Sequence, residues 1–277
     1  MLKKMKINNI LSLIILIFAS FMVLFPVAWM LSTSLKTMQE MFVTPPRWIP
    51  QEITFRAFAR IWTDYPFVRF FYNSILIVST TTIVSLFFSS LAGYGASRFN
   101  FKGKSSFLVF LLVTQMFPSV MLLIPFYRVL NILGLINTHL GLIIVYMAFT
   151  TPLCSWMMYG YFESIPKELD DAASIDGCSK FRTYWQIVLP LSLPGLAATG
   201  IYAFIMSWNE YLFALVLTTD DSMKTVPVGI GSLVGQYRTA WNDLMAVSLV
   251  ASIPMLIAFF FLSKKLIGGL TGGAVKQ

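Results

Sequence analysis

Charge is what this sequence lacks most. Only 12% of its 277 residues are Asp, Glu, Lys or Arg, against 57% hydrophobic, whereas a soluble domain carries about 25% charge. A water-soluble globule is thereby excluded. Cysteine and histidine are scarce as well, at two and one, so neither a disulfide framework nor a thiol–imidazole metal cluster can be assembled. Cys154 falls in an apolar run and Cys178 in a charged connection, and His139 reads as a polar cap at the end of an apolar run. No G-x-x-x-x-G-K-[ST] phosphate loop is present, so the chain has no nucleotide-hydrolysing motif of its own. Paired acids within the apolar runs, which an intramembrane enzyme would need, are missing too. The basic helices and aromatic–basic alternation of nucleic-acid binders are equally absent.

What the sequence has in quantity is long apolar runs. Six stretches, about 10–31, 71–92, 105–125, 139–160, 195–218 and 244–262, are almost free of charge, and of the 32 charged residues only Glu210 lies inside one. About 20 apolar residues wound as helix span the roughly 30 Å hydrocarbon core of a bilayer. The expectation is an all-α integral membrane protein with six transmembrane helices, residues 1–277 forming one domain. The first run follows Lys3, Lys4 and Lys6 but is too long for a signal-peptide core and has no small-x-small cleavage site, so it counts as helix one. Lys and Arg set the orientation. Twelve lie on the side of the N-terminus, the second and fourth connections and the tail, against three in the short connections opposite (Arg128, Lys224, Arg238) and five in the long segment 32–70. The positive-inside rule then puts both termini in the cytoplasm.

The connections differ in kind. Residues 32–70 are rich in Pro and aromatics, too apolar for a disordered tether, and suit an irregular cap or a short interfacial helix. Residues 219–243, holding Tyr237 and Trp241, form a second outside loop. The cytoplasmic connection 163–194 carries eight charges yet is highly organised. Pro166 suits a first helical turn, Glu168, Asp170 and Asp171 lie near its positive dipole end, and Gly177 suits the left-handed position past its end. These signals predict a helix near 166–176. On it Leu169, Ala172, Ala173 and Asp176 share a face whose small centre lets another surface approach closely. A second helix, about 179–189, carries Phe181, Tyr184, Trp185 and Val188 at the same spacing. A docking element explains this pair better than a merely solvated connection with capping signals.

Here the chain resembles a family. Glu168-Leu169-x-Asp171-Ala172-Ala173-x-Ile175-Asp176-Gly177, followed by Ile-x-Leu-Pro-Leu-x-x-Pro at 187–194, is similar to the EAA loop of ABC-importer permeases. Gly93-Tyr94-x-Ala96-x-Arg98-Phe99, Leu133-Gly134-Leu135-Ile136-Asn137-Thr138 and Ser207-Trp208-Asn209-Glu210-Tyr211 resemble the carbohydrate, maltose-permease-like branch. The likeness runs over essentially the whole chain and departs at Asp171, usually glutamate, and Cys178, usually alanine. The resemblance implies a bacterial or archaeal cytoplasmic-membrane permease subunit of a binding-protein-dependent carbohydrate importer, with an oligosaccharide as cargo. The implied partners are a second, homologous permease, a cytoplasmic ATPase dimer and an extracellular or periplasmic solute-binding protein. Cofactors are expected only on the ATPase, as ATP and Mg. Coupling falls to Glu168, Leu169, Asp171, Ala172, Ala173, Asp176, Gly177 and Phe181, and the tail 263–277 resembles the extension that touches the ATPases.

The substrate path is less sharply written. Glu210, a few residues beyond the middle of helix five, is an ionisable group within a span and so a functional candidate. Trp208, Asn209 and Tyr211 beside it mix hydrogen-bonding groups with flat aromatics, which suits a sugar. The alternative is that Glu210 pairs with a neighbouring helix or caps the external gate. Gln115 is a second candidate, with interhelical hydrogen bonding as its alternative role. Tyr237 and Trp241 are expected to dock the binding protein, unless Trp241 is only an interfacial anchor. A non-sugar cargo, such as a polyamine, peptide or phosphorylated polyol, stays open. An ion-coupled secondary transporter would need more buried acids or an inverted repeat.

Overall fold

The computed structural model describes residues 7–235 and 239–274, which leaves Tyr237 outside the described residues. The regular secondary structure of the described residues is helical apart from one bridge between Val234 and Thr239. Its helices are α1 (Ile7–Ser34), α2 (Arg56–Thr63), α3 (Phe67–Arg98), α4 (Lys104–Thr114), α5 (Leu123–Ile132), α6 (His139–Glu163), α7 (Glu168–Ile175), α8 (Lys180–Thr183), α9 (Leu189–Leu191), α10 (Leu193–Trp208), α11 (Leu212–Leu217), α12 (Val226–Ser232) and α13 (Trp241–Ala274). Four stretches are long and apolar enough to cross a membrane: Leu11–Ser34, Phe67–Arg98, His139–Glu163 and Trp241–Phe261. The tail expected from 263 onward begins inside α13, which continues to Ala274.

The third and fifth expected spans are not continuous helices. The run 105–125 is broken after Thr114, and the chain turns by 96° into Ser119–Ile132. Pro118 supplies the reason, since it has no amide to donate and disfavours helical backbone at Phe117. The run 195–218 stops at Trp208 and resumes at Leu212. The first break lies in a helix pair apolar enough for a bilayer, and the pair that qualifies in the fifth region, Lys180–Leu191 with Leu193–Trp208, is itself bent by 77°. Irregular backbone at that depth is tolerated only where it is buried in protein or lines a cavity.

Contacts gather the chain into two compact units, Met1–Phe67 with Ile230–Ile253 and Val68–Gly229 with Pro254–Gln277. In the first, residues 11–28 of α1 are exposed on every side, as an apolar helix meant for lipid or another subunit would be. Past its end the polar groups turn inward. Lys36 donates from Nζ to the Arg47 carbonyl at 2.5 Å and sits 4.4 Å from the Trp29 ring centre. Burial pushes the Lys36 pKa below the usual ammonium value, with Glu40 opposing. α2 buries Ala57 and Ile61, one turn apart, and Arg60 pairs with Asp243 in the first turn of α13 at 2.7 Å. The long segment 32–70 thus contains the short helix that its composition suggests.

The second unit is held by α3, α6 and α10. Gly93 on α3 lets the backbones of α3 and α6 meet, because a Cβ there would lie 2.7 Å from the Tyr159 amide nitrogen. Polar groups cross the same interface, with Ser85 and Thr150 hydroxyls 2.9 Å apart and Ser89 Oγ donating to the Thr151 carbonyl. One buried cluster joins Ile77, Leu142, Val145 and Tyr146 to Phe213 and Leu217. Another joins Tyr94, Met158, Phe162 and Ile165 to Tyr184 and Val188. The first of these lies under the two helix breaks and the second under the charged connection 163–194. Neither cysteine is in a disulfide, Cys154 being buried and Cys178 partly so. His139 opens α6 and its Nε2 lies 2.9 Å from Asn73 Oδ1.

Candidate coupling surface and membrane cavity

The first helix of the 163–194 connection is shorter than the sequence predicts. α7 begins at Glu168, after tight turns at Pro166 and Lys167, and ends at Ile175. Its end is a Schellman closure: Gly177 adopts φ +78°, its amide donates to the Ser174 carbonyl at 3.2 Å, and Cys178 N donates to the Ala173 carbonyl at 2.9 Å. The expected helix over 179–189 is likewise divided. Ser179 caps α8 by accepting from Arg182 N, a wider π turn occupies Tyr184–Val188, and α9 follows. The π turn puts Tyr184 and Val188 into the buried cluster, while Phe181 is 68% exposed.

The four residues placed on one face of α7 divide between two environments. Ala173 is buried against the chain, whereas Leu169, Ala172 and Asp176 are exposed, as are Glu168, Asp171 and Gly177. Burial falls instead on Asp170, which the sequence offered only as dipole charge. Its Oδ2 lies 2.9 Å from Arg98 Nε, and both side chains are more than nine-tenths buried. Tyr94 donates its hydroxyl to Asp170 Oδ1 at 3.0 Å. Arg98 also donates to the Phe162 carbonyl at 2.9 Å and the Ile165 carbonyl at 3.0 Å. One guanidinium therefore ties the ends of α3 and α6 to the middle of α7. A buried pair keeps its charges only with neighbouring hydrogen bonds of this kind, the Nε–Oδ2 contact itself being an ion pair without hydrogen-bond geometry. Above this base Leu169, Ile175 and Phe181 present apolar side chains to solvent, Ile175 at 87% exposure. Ile175 was legible only as part of the motif, since its i+3 and i+4 neighbours do not make it apolar-face material.

The two helix breaks converge on a cavity of about 270 Å³. Gln115, Phe117 and Ser119 come to it from the first break and Glu210 from the second, with Tyr146 and Thr150 from α6. Glu210 is not inside helix five. Its Oε1 accepts from Phe213 N at 2.8 Å and its Oε2 from Ala214 N at 3.0 Å, which starts α11 and ends the helical ladder of α10. The buried Tyr146 hydroxyl faces the same carboxylate. Ser207 Oγ, at the last turn of α10, lines the cavity, is buried, and has no hydrogen-bond partner among the described residues. Gln115 donates from Nε2 to the Phe149 carbonyl at 3.3 Å. Phe117, Phe149 and Phe213 supply flat apolar walls.

Trp208, Asn209 and Tyr211 do not join Glu210 at this cavity. Trp208 is buried and stacks on Phe204 at 5.7 Å, Asn209 donates to the Ile205 carbonyl at 2.9 Å, and Tyr211 is exposed. Tyr146 is the residue that sequence reasoning passed over, and Ser207 entered only as a motif residue without a role, because a lone hydroxyl in an apolar run carries no signal until its neighbours are known. Trp241 is the first residue of α13, half exposed, and lines a different cavity with Trp29, Lys36 and Arg47. No group of three or more metal-ligating side chains occurs among the described residues.

Residues 85–268 match the family described as binding-protein-dependent transport system inner membrane component. The trehalose/maltose transport system permease protein MalG of Thermococcus litoralis is 37% identical over 98% of both chains. The sulfoquinovosyl glycerol transport system permease protein SmoH of Agrobacterium fabrum is 34% identical over 91% of this chain and 89% of its own. Among solved structures, a chain of a bacterial ABC transporter involved in import of the acidic polysaccharide alginate superposes with a TM-score of 0.79. It is 24% identical and covers 93% of this chain and 96% of its own, so it speaks for the fold.

Proposed function

Because the chain belongs to the family of binding-protein-dependent transport system inner membrane components, we propose that it is the permease subunit of an ATP-driven carbohydrate importer in a bacterial or archaeal cytoplasmic membrane. Six spans with both termini cytoplasmic follow from the charge asymmetry, the third and fifth spans being the broken ones. All 277 residues act as one permease domain. A second, homologous permease completes the pathway, an external binding protein delivers the cargo, and an ATPase dimer holding ATP and Mg supplies the energy.

The observation that carries the reading is the coupling surface. α7 offers Glu168, Leu169, Asp171, Ala172 and Asp176 to the cytoplasm, flanked by Ile175, Gly177 and Phe181, on a base locked by the Arg98–Asp170 pair. Exposed apolar side chains on a rigid charged platform mark a protein interface. A push on α7 is transmitted to α3 and α6 because both are bonded to the same guanidinium. Movement of those helices shifts the walls of the cavity, to which α6 contributes Tyr146 and Thr150.

The carbohydrate assignment is supported by the names of the relatives and by a cavity that combines hydroxyls, an amide and a carboxylate with flat aromatic walls. Those names do not select a charge class, since trehalose and maltose are neutral and alginate is acidic. Two experiments test the proposal. Affinity purification of this chain should bring down an ATPase and a second permease in stoichiometric amount. The reconstituted complex should accumulate an oligosaccharide in liposomes only with ATP and the binding protein. Uptake of amino acids, peptides or polyamines in place of any saccharide would refute the carbohydrate reading.

A further inference from the structure

The cavity between the two broken helices says more than that polar cargo passes. Its volume of about 270 Å³ lies just below the roughly 300–1,000 Å³ typical of ligand pockets. That is room for about one sugar ring within the cavity. Three features make it a built site. Both Glu210 oxygens are fixed by backbone amides, at 2.8 and 3.0 Å, so the carboxylate is held in one orientation, with the Tyr146 hydroxyl beside it. Ser207 Oγ is 3% exposed at the residue level, lines the cavity and is without a partner among the described residues. Burying a hydroxyl in that condition is unfavourable unless something else completes it. Phe149 and Phe213, 5.0 Å apart between ring centres, give an apolar wall suited to the CH face of a ring.

The charge of the site is one-sided. Glu210 is the sole ionisable carboxylate among the lining residues, and no Lys or Arg lines the cavity with it. An oriented carboxylate accepts a hydroxyl of a neutral ring beside the groups that already hold it. Against a ligand carboxylate or sulfonate it offers only repulsion, which the low dielectric of the surroundings amplifies. We propose that this cavity is a subsite for a single uncharged, hydroxyl-bearing ring of the cargo, and that Glu210 makes the membrane subunit itself discriminate against anionic sugar units. The proposal rests on the carbohydrate reading above and adds a charge class to it.

The test uses the full complex in nanodiscs, without binding protein, and two probes of matched shape: methyl α-D-glucopyranoside and methyl α-D-glucuronide. Saturation-transfer NMR titrations give the affinity for each. Wild type should favour the neutral probe by about tenfold or more, the repulsion of like charges at contact distance being large in a low-dielectric site. Glu210→Gln removes the charge and retains an acceptor, so the preference should fall to about threefold or less. Ser207→Ala should weaken the neutral probe by about fivefold, the value of one neutral hydrogen bond, while the ratio between the probes persists. Equal affinities in wild type, an unchanged ratio in Glu210→Gln, or no saturable binding of the neutral probe would each overturn the proposal. Uptake with loaded binding protein is measured in parallel. A complex that imports saccharides yet binds both probes equally keeps the carbohydrate reading and loses this one, whereas one that imports none loses the carbohydrate reading itself.

Discussion

Replacing Arg98 with alanine removes a guanidinium that makes three separate ties: to Asp170 at 2.9 Å, to the Phe162 carbonyl at 2.9 Å and to the Ile165 carbonyl at 3.0 Å. The side chains of Arg98 and Asp170 are 5% and 7% exposed, so water does not take over when one partner is deleted. Leaving a buried charge uncompensated costs about 3–5 kcal/mol. Most of that cost is local, because α7 can detach and hydrate Asp170 while the helices beneath stay packed. At about 1.4 kcal/mol per tenfold, even the lower bound raises the detached fraction of α7 by about 100-fold. Hydrogen exchange read by mass spectrometry on peptides covering 168–178 should show that loss of protection, with peptides from α10 unchanged. Asp170→Asn should fall between wild type and Arg98→Ala, since its single amide oxygen still accepts from one of Tyr94 and Arg98 but not from both. In the assembled transporter the same variants should hydrolyse ATP without matching transport, as a coupling element that has lost its tether moves without carrying α3 and α6. A double-mutant cycle on Arg98 and Asp170 completes the argument with a coupling energy of about 1–3 kcal/mol. Exchange rates within twofold of wild type in Arg98→Ala, or strict additivity in the cycle, would refute the tether.

Three further outcomes are expected. Gly177→Val forces a β-branched residue into φ +78° and should weaken the α7 closure by about 1–3 kcal/mol; with Ala172→Trp, which adds bulk to the exposed face, it should abolish ATPase stimulation while membrane insertion, followed by protease protection, is retained. Gly93→Val should disrupt the unit of α3 and α6, since its Cβ would stand 2.7 Å from a backbone nitrogen; thermal unfolding of the purified protein should drop by several degrees, consistent with overpacking of about 1–3 kcal/mol. Trp241→Ala, at a half-exposed aromatic beside the Trp29 and Lys36 cavity, should raise the binding-protein concentration for half-maximal ATPase stimulation; an unchanged half-saturation point would make Trp241 a lipid-interface anchor.

Composition and period carried much of the architecture by themselves. A chain with one carboxylate in six apolar runs has few arrangements open to it, because backbone polar groups in lipid must be satisfied within helices. The closure at Gly177 was also legible, since a left-handed turn past a helix end needs a residue without Cβ and its position followed from the caps. The motif of the 163–194 connection carried the family, because it fixes residue types over a long stretch. What it did not carry was direction. Ala172 and Ala173 are adjacent and chemically identical, and only packing decides that Ala173 turns inward and Ala172 outward. Asp170 and Asp171 were equally indistinguishable, until the Arg98 guanidinium from the end of α3 arrived at one of them.

The breaks in the third and fifth runs belong to tertiary structure for a related reason. Hydropathy sums over a window and does not register one turn of lost hydrogen bonds. Pro118 announces the first break in the sequence, but the second depends on a carboxylate choosing the amides of Phe213 and Ala214. Around that carboxylate Tyr146, Ser207 and Gln115 line a cavity. Sequence therefore determined the number of apolar runs, the sidedness of the charges and the place of the coupling loop, all properties of local composition. Which hydroxyls meet the carboxylate, and which acid the arginine buries, was decided only when residues as distant as 98 and 170 were brought within 3 Å of each other.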